Sequence, residues 1–236
     1  MIMNDNLLNL LNSYKVPAKG VELLERAKLV FVVGITGAGK NTILKELLKT
    51  NKYKLVISHT TRKPRKNHGV LERDGQDYHF IDEKEAQRML ENGEFIEAKI
   101  YSGNMYGTSL KEIKAADNEG KIAISDIEVQ GVAEYMKVAH NIVPVFILPP
   151  DFDTWRRRLK DRYIGLNHDW KEMQKRLDTA KKELKEALSK DYFEFVINDD
   201  LHRAVTAVDR VAHGHLSVTK NEHARQLAQE LLDKLG

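Results

Sequence analysis

The chain contains no cysteine, which excludes both a disulfide framework and any thiolate-held metal. It has no apolar run near the roughly 20 residues that a membrane-crossing helix needs. The opening stretch, MIMNDNLLNLLNSYK, has neither the basic leader nor the apolar segment of a secretory signal. A cytoplasmic setting without membrane partners is the expectation. There is no internal repeat and no low-complexity segment, so solenoid and disordered architectures are excluded as well. What is present is ordinary globular material: 236 residues, 42% hydrophobic and 31% charged, enough for one or two domains with a sizeable core. The net charge of +3 is unevenly spread, with thirteen Lys or Arg against four Asp or Glu in residues 1–70. Such a surplus attracts phosphates or acidic surfaces, although solvated lysine faces are common and produce the same count.

Short β-rich runs alternate with amphipathic stretches. Strands are expected at 28–33, 54–57, 78–81, 95–100, 121–127, 143–148 and 193–197. Several of them (LVFVV, IAISDI, VPVFIL, FEFVI) are nearly continuous in apolar residues, as strands covered on both faces are. Helical patterns fall at 40–50, 83–91, 109–119, 129–138, 152–162, 170–189 and 202–212. The alternation predicts an α/β fold around a mostly parallel sheet flanked by helices, with the small-looped stretch 54–108 inserted into it. Residues 3–27 read as two short helices split near Pro17 and Gly20. An apolar stripe through Ala224, Leu227, Ala228, Leu231, Leu232 and Leu235 predicts a last helix packed on the body, a dimer contact being the sharper alternative.

One stretch carries chemistry by its own pattern. The strand LVFVV runs into Gly34-Ile35-Thr36-Gly37-Ala38-Gly39-Lys40-Asn41-Thr42 and then into a helix through Ile43, Leu44, Leu47 and Leu48. Glycines let the backbone curl until successive N–H groups point at a polyphosphate, the helix adds its positive end, and Lys40 supplies a mobile cation. The pattern G-x-x-x-x-G-K-[ST] holds up to Lys40. Asn41 then takes the hydroxyl position, a weaker Mg²⁺ partner, and Thr42 stands one residue later.

Further motifs follow in order: SHTTRKPR from Ser58 to Arg65, DYHF from Asp77, EFIE from Glu94 to Glu97, SGNMYGT from Ser102 to Thr108, DIEVQG from Asp126 to Gly131, FILPP from Phe146, and NDDL from Asn198. Together with the glycine loop they resemble guanylate kinase over about Leu29 to Ala212. The resemblance implies a P-loop kinase-type core (residues 28–212), with a small α+β GMP-binding insert at about 58–108 and a helical lid at about 156–180. Residues 1–27 and 213–236 are then helical extensions. It also implies transfer of the γ-phosphate of ATP to GMP with Mg²⁺, small-molecule partners only, no nucleic acid, and a monomer or homodimer.

The roles that the resemblance implies make chemical sense residue by residue. Gly34 to Thr42 and Asn198 hold ATP. Ser58, Arg62 and Arg65, with Tyr78 and Tyr106, grip the GMP phosphate, since forked guanidinium groups match a phosphate bidentately. Glu97 and Glu128 face the guanine edge and Thr108 contacts the base; a carboxylate accepts from guanine's two N–H donors and is repelled by adenine's bare N1. Thr42 and Asp126, the latter through water, stand on the metal side. Arg158, Arg162 and Arg176 join Lys40 and Arg62 in neutralising charge on the transferring phosphoryl group; Arg158 and Arg162 are four apart and share a helix face. Glu128 is one methylene longer than the usual aspartate, and Met105 stands where tyrosine is usual. The alternatives are a non-catalytic protein-binding relative and a kinase for ribose bisphosphate. Retention of Gly39, Lys40, the phosphate-site arginines and Glu97 argues against the first, and retention of Glu97 and the Y-G-T segment against the second, because a sugar acceptor has no guanine edge to read.

Overall fold

The computed structural model describes residues 4–67, 69–139, 141–163 and 170–236. Its elements, in chain order, begin with α1 (Asp5–Ser13), α2 (Ala18–Arg26), β1 (Leu29–Gly34), α3 (Lys40–Lys49), β2 (Tyr53–Leu55), β3 (His59–Thr60), β4 (Lys66–Asn67) and β5 (Val70–Leu71). Next come β6 (His79–Phe80), α4 (Glu83–Glu91), β7 (Phe95–Tyr101), β8 (Asn104–Ser109), α5 (Leu110–Asn118), β9 (Ile122–Asp126) and α6 (Val129–Met136). The chain continues with β10 (Ile142–Leu148), α7 (Phe152–Tyr163), α8 (Trp170–Leu188), β11 (Glu194–Ile197), α9 (Leu201–Ala212) and α10 (Val218–Asp233). The fold is α/β, with a parallel central sheet flanked by helices.

The chain divides into two compact units. One takes residues 30–53, 126–133 and 142–236. Its strands lie in the order β11-β10-β1, with β10 and β11 parallel and Phe146 opposite Phe195. All of β1 and nearly all of β10 is buried, which is why both read as unbroken apolar runs instead of alternating ones. The last helix packs on the body as its stripe predicts, burying Ala224, Ala228 and Leu231. Arg225 ties it down by donating to the carbonyls of Lys190 (2.8 Å) and Phe193 (3.2 Å).

The other unit takes residues up to Leu29, Lys54–Ser125 and Glu134–Asn141. It holds a four-stranded sheet in the order β6-β3-β8-β7, in which β6 and β7 fall on the strands expected at 78–81 and 95–100, and the β4–β5 hairpin; β3, β4 and β5 are only two residues long and show no periodicity in the sequence. Its core joins Leu7 and Leu11 of α1 to Ala86, Met89 and Leu90 of α4, Phe95 of β7 and Met105 of β8. Met105, fully buried, is a packing residue. The two N-terminal helices are present, but the break between them lies at residues 14–17 and Gly20 is inside α2. Pro17 sets the start of α2, as a proline readily does. Gly20 stays helical because a Cβ there would press on Leu110 and Val16 at 3.0 and 2.9 Å, so its value is close approach and not a turn.

Tyr14 closes α1 onto β7: its hydroxyl donates to the Phe95 carbonyl (2.7 Å) and accepts from the Phe95 N–H (3.1 Å). Tyr14→Phe strands both backbone groups in a buried place and is expected to cost about 1–3 kcal/mol. The measurement is the urea midpoint of unfolding, which should fall; an unchanged midpoint contradicts the assigned role.

Candidate active site

The glycine loop is shaped by where its carbonyls go. Three alternate carbonyls are each taken by a side chain. Lys40 donates to Gly34, Trp155 Nε1 donates to Thr36 (2.8 Å), and Asn198 Nδ2 donates to Ala38 (2.7 Å). With these oxygens engaged, the intervening amides are left for a ligand. Gly39 is the N-cap of α3 with φ +97° and no side-chain cap, so the free N–H groups of the first helical turn are uncovered. No side chain fits at Gly39, since a Cβ would run into Asn198. Asn198 is itself held by its N–H on the Leu148 carbonyl (2.7 Å), and its own carbonyl accepts from Arg158 (3.2 Å).

These groups border a cavity of about 640 Å³, together with Asn41, Thr42, Asp126 and Arg176. Lys40, Arg158 and Arg176 bring three cations to it, while Asp126, Thr42 and Asn41 bring oxygen donors. That donor set suits a hard divalent cation that completes its shell with water and phosphate oxygens. Partial desolvation lifts the Asp126 carboxyl above its ordinary range, and the Lys40 charge acts against that rise. Arg162, near the end of α7, lies outside the residues whose side chains are described.

Glu183 of α8 is a member of this neighbourhood that the motifs did not single out. Burial pushes it up to about 7, against the pull of Lys40 and with Glu128 adding to the rise. The available signal was its spacing of seven from Arg176, which puts both on one face of α8. Trp155 was missed for a simpler reason: a buried tryptophan reads as core, and only its indole N–H reveals the link to the loop.

In the other unit, β7 and β8 carry the second constellation. A register shift between Phe95 and Glu97 brings Glu97 directly opposite Thr108, and the Thr108 hydroxyl donates to Glu97 Oε1 (3.1 Å). Desolvation raises the Glu97 carboxyl, opposed mainly by Lys99. The buried Tyr135 hydroxyl bonds to Thr108 as well. Gly107 lies between these residues for lack of room, since a Cβ there would sit 2.8 Å from the Glu97 carbonyl and 3.0 Å from the Phe95 ring.

Arg62 is buried and heavily engaged. It forms a bidentate pair with Glu72 (2.8 and 3.0 Å) and also donates to the Lys63 carbonyl (2.8 Å) and the Tyr106 hydroxyl (3.1 Å). Its guanidinium lies over the Tyr78 ring at 5.2 Å. Four of its five N–H groups are thereby committed within the unit. Glu72 also accepts from the Arg65 N–H (2.8 Å), so this one carboxylate organises both arginines, and the pairing with Arg62 holds it below its usual range. The Arg65 side chain is exposed, and Ser58, Tyr78 and Tyr106 are half-buried. Glu128 belongs to the first unit, just before α6, where its carbonyl accepts from the Gly131 N–H (2.8 Å).

The family model described as guanylate kinase matches residues 26–214. The chain is 36% identical to a guanylate kinase of Schizosaccharomyces pombe, an alignment covering 79% of this chain and 90% of that one. It is 37% identical to that of Clostridioides difficile, covering 86% and 93%. Among solved structures it is similar to the guanylate kinase of Anaplasma phagocytophilum, with a TM-score of 0.57 and 24% identity over 83% of this chain and 90% of that one. A glycine loop with pinned carbonyls, an opposed Glu97–Thr108 pair and these alignments agree, and the chain belongs to the guanylate kinase family.

Proposed function

We infer that the chain transfers the γ-phosphoryl group of ATP to GMP, giving ADP and GDP. The observation that carries this reading is the pinning of the Gly34, Thr36 and Ala38 carbonyls, which leaves a bed of amides beside Lys40. ATP lies there with its β- and γ-phosphates toward Lys40. Asn198 borders the adenine side. GMP is held by Ser58, Arg65, Tyr78, Tyr106 and the remaining N–H of Arg62, while Glu97 accepts from guanine N1–H and N2–H, assisted by Thr108 and Glu128. In this reading residues 58–108 are the GMP-binding insert, about 156–180 the lid, and the setting is cytoplasmic, without nucleic acid or membrane partners, as a monomer or homodimer.

No protein nucleophile is required. An oxygen of the GMP phosphate attacks the γ-phosphorus in line as the bond to the ADP oxygen breaks, and catalysis rests on positioning and charge stabilisation. Lys40, Arg158, Arg162 and Arg176 supply positive charge to the phosphoryl oxygens. Thr42 and Asp126, the latter through water, would hold Mg²⁺, which supplies further neutralisation of the β- and γ-phosphates when bound.

Two substitutions test the reading in a coupled assay offering ATP with GMP, IMP, AMP or UMP. Lys40→Ala should lower kcat by about a thousandfold or more while leaving thermal unfolding unchanged, the loss expected when a phosphate-directed cation is removed; near-normal turnover contradicts the assignment of the loop. Glu97→Gln keeps one acceptor but loses the charged pair of acceptors, and should lower kcat/KM for GMP by about a hundredfold. IMP, which lacks N2–H, should lose less. Since Glu97 is raised above the ordinary carboxylate range, wild-type KM for GMP should climb on acidification at a higher pH than an unperturbed glutamate would give, and this limb should vanish in Glu97→Gln. Equal losses for GMP and IMP would remove Glu97 from base recognition.

A further inference from the structure

A second cavity, of about 500 Å³, lies within the unit that carries Glu97 and away from the phosphate loop. One wall comes from α2, through Lys19, Leu23 and Arg26, and most of that helix precedes the family match, which begins at residue 26. The others come from α4 and the start of α5, and Leu23, Ile81, Met89 and Leu110 give it an apolar lining. This volume falls in the range of small-molecule pockets, about 300–1,000 Å³.

Two buried polar groups on lining residues have no hydrogen-bond partner: Ser109 Oγ, on a residue 2% exposed, and His59 Nδ1, on a residue 9% exposed. A buried polar group left unpaired costs about 1–3 kcal/mol, so two on one cavity call for a polar ligand group, one that accepts from the Ser109 hydroxyl. Ser109 is also the N-cap of α5 and makes no cap hydrogen bond; the Leu110 N–H is taken by the Glu94 carbonyl (2.8 Å), which leaves the next amides of the first turn of that nine-residue helix toward negative charge.

The charges around the cavity divide unequally. Glu85 and Glu94 are both taken up by Arg88, at 2.8 and 2.6 Å, and Arg26 is paired with Asp117 at 2.7 Å. Among the described residues Lys111 and Lys114 have no acidic partner, and Glu22 is the one acid of the lining left unpaired. The Lys111 charge is felt at His59. Burial and the neighbouring His79 hold the His59 imidazole down at about 4, so it serves as a neutral hydrogen-bonding group.

We propose that this cavity binds a small organic anion, with its carboxylate or phosphate group at Ser109, the α5 N-terminus and Lys111, and its apolar body against Leu23, Ile81, Met89 and Leu110. The site is separate from base recognition: Thr108 and Ser109 are successive on β8 and so face opposite sides of the sheet. It requires no part of the reading of Glu97.

The test is calorimetric titration of the full chain with phenyl phosphate, benzoate and uncharged benzyl alcohol. Phenyl phosphate and benzoate should bind in the millimolar range and benzyl alcohol more weakly by about tenfold, the worth of one charge-assisted hydrogen bond. Leu23→Trp fills the apolar half and Lys111→Glu reverses the charge; each should weaken phenyl phosphate by about tenfold or more, with GMP phosphorylation unchanged. Lys40→Ala should leave this binding intact, which separates the cavity from the phosphate loop. Absence of binding up to about 20 mM, far above the millimolar range expected, overturns the proposal. So does equal binding of benzyl alcohol, binding untouched by both Leu23→Trp and Lys111→Glu, or binding lost in Lys40→Ala alone.

Discussion

The capture of three alternate loop carbonyls by Lys40, Trp155 and Asn198 is the constraint on which the proposed phosphate site rests. A peptide unit is planar, so fixing the direction of a carbonyl fixes the opposite direction of the following N–H. Each anchor therefore aims an amide, and the anchors come from three different places: the helix just after the loop, α7, and the end of β11. An amide bed set before the ligand arrives needs little reorganisation when charge builds on a transferring phosphoryl group, which is where preorganised dipoles have their effect.

The Glu97–Thr108 pair, proposed to read the base, depends on a different local device. A regular strand would put Glu97 on the same face as the buried Phe95, and the irregularity after Phe95 sets it opposite Thr108 instead; register shifts of this kind commonly redirect a side chain near a functional site. The Thr108 hydroxyl donates to Glu97 and is bonded to the buried Tyr135 as well. Glu72 organises the two arginines proposed to meet the GMP phosphate, holding Arg62 in a fork and accepting from the Arg65 backbone.

Much of this was legible in the sequence, for reasons that can be named. β1 and β10 announced themselves because buried parallel strands are apolar throughout, and the glycine loop because its conformation admits few residue types. The helices α3, α4, α5 and α9 followed from their apolar spacing. The two-residue strands β3, β4 and β5 were illegible because so short a run has no period, whereas β6 falls within the strand expected at 78–81. Gly20 misled because a glycine that makes room for a neighbour looks the same as one that makes a turn. Trp155, Tyr135, Glu72 and Glu183 were hidden because each acts through a partner distant in sequence, and a lone buried aromatic or helix carboxylate carries no local mark of that partner.

The most direct measurement of the central claim is the affinity for ATP with Mg²⁺, by titration calorimetry, of Asn198→Ala and Trp155→Phe beside the unchanged chain. Releasing the Ala38 or the Thr36 carbonyl frees the amides it aims, and each variant should bind ATP about tenfold more weakly, the worth of one lost charge-directed hydrogen bond, while GMP affinity stays the same. Undiminished ATP binding in both would contradict the account.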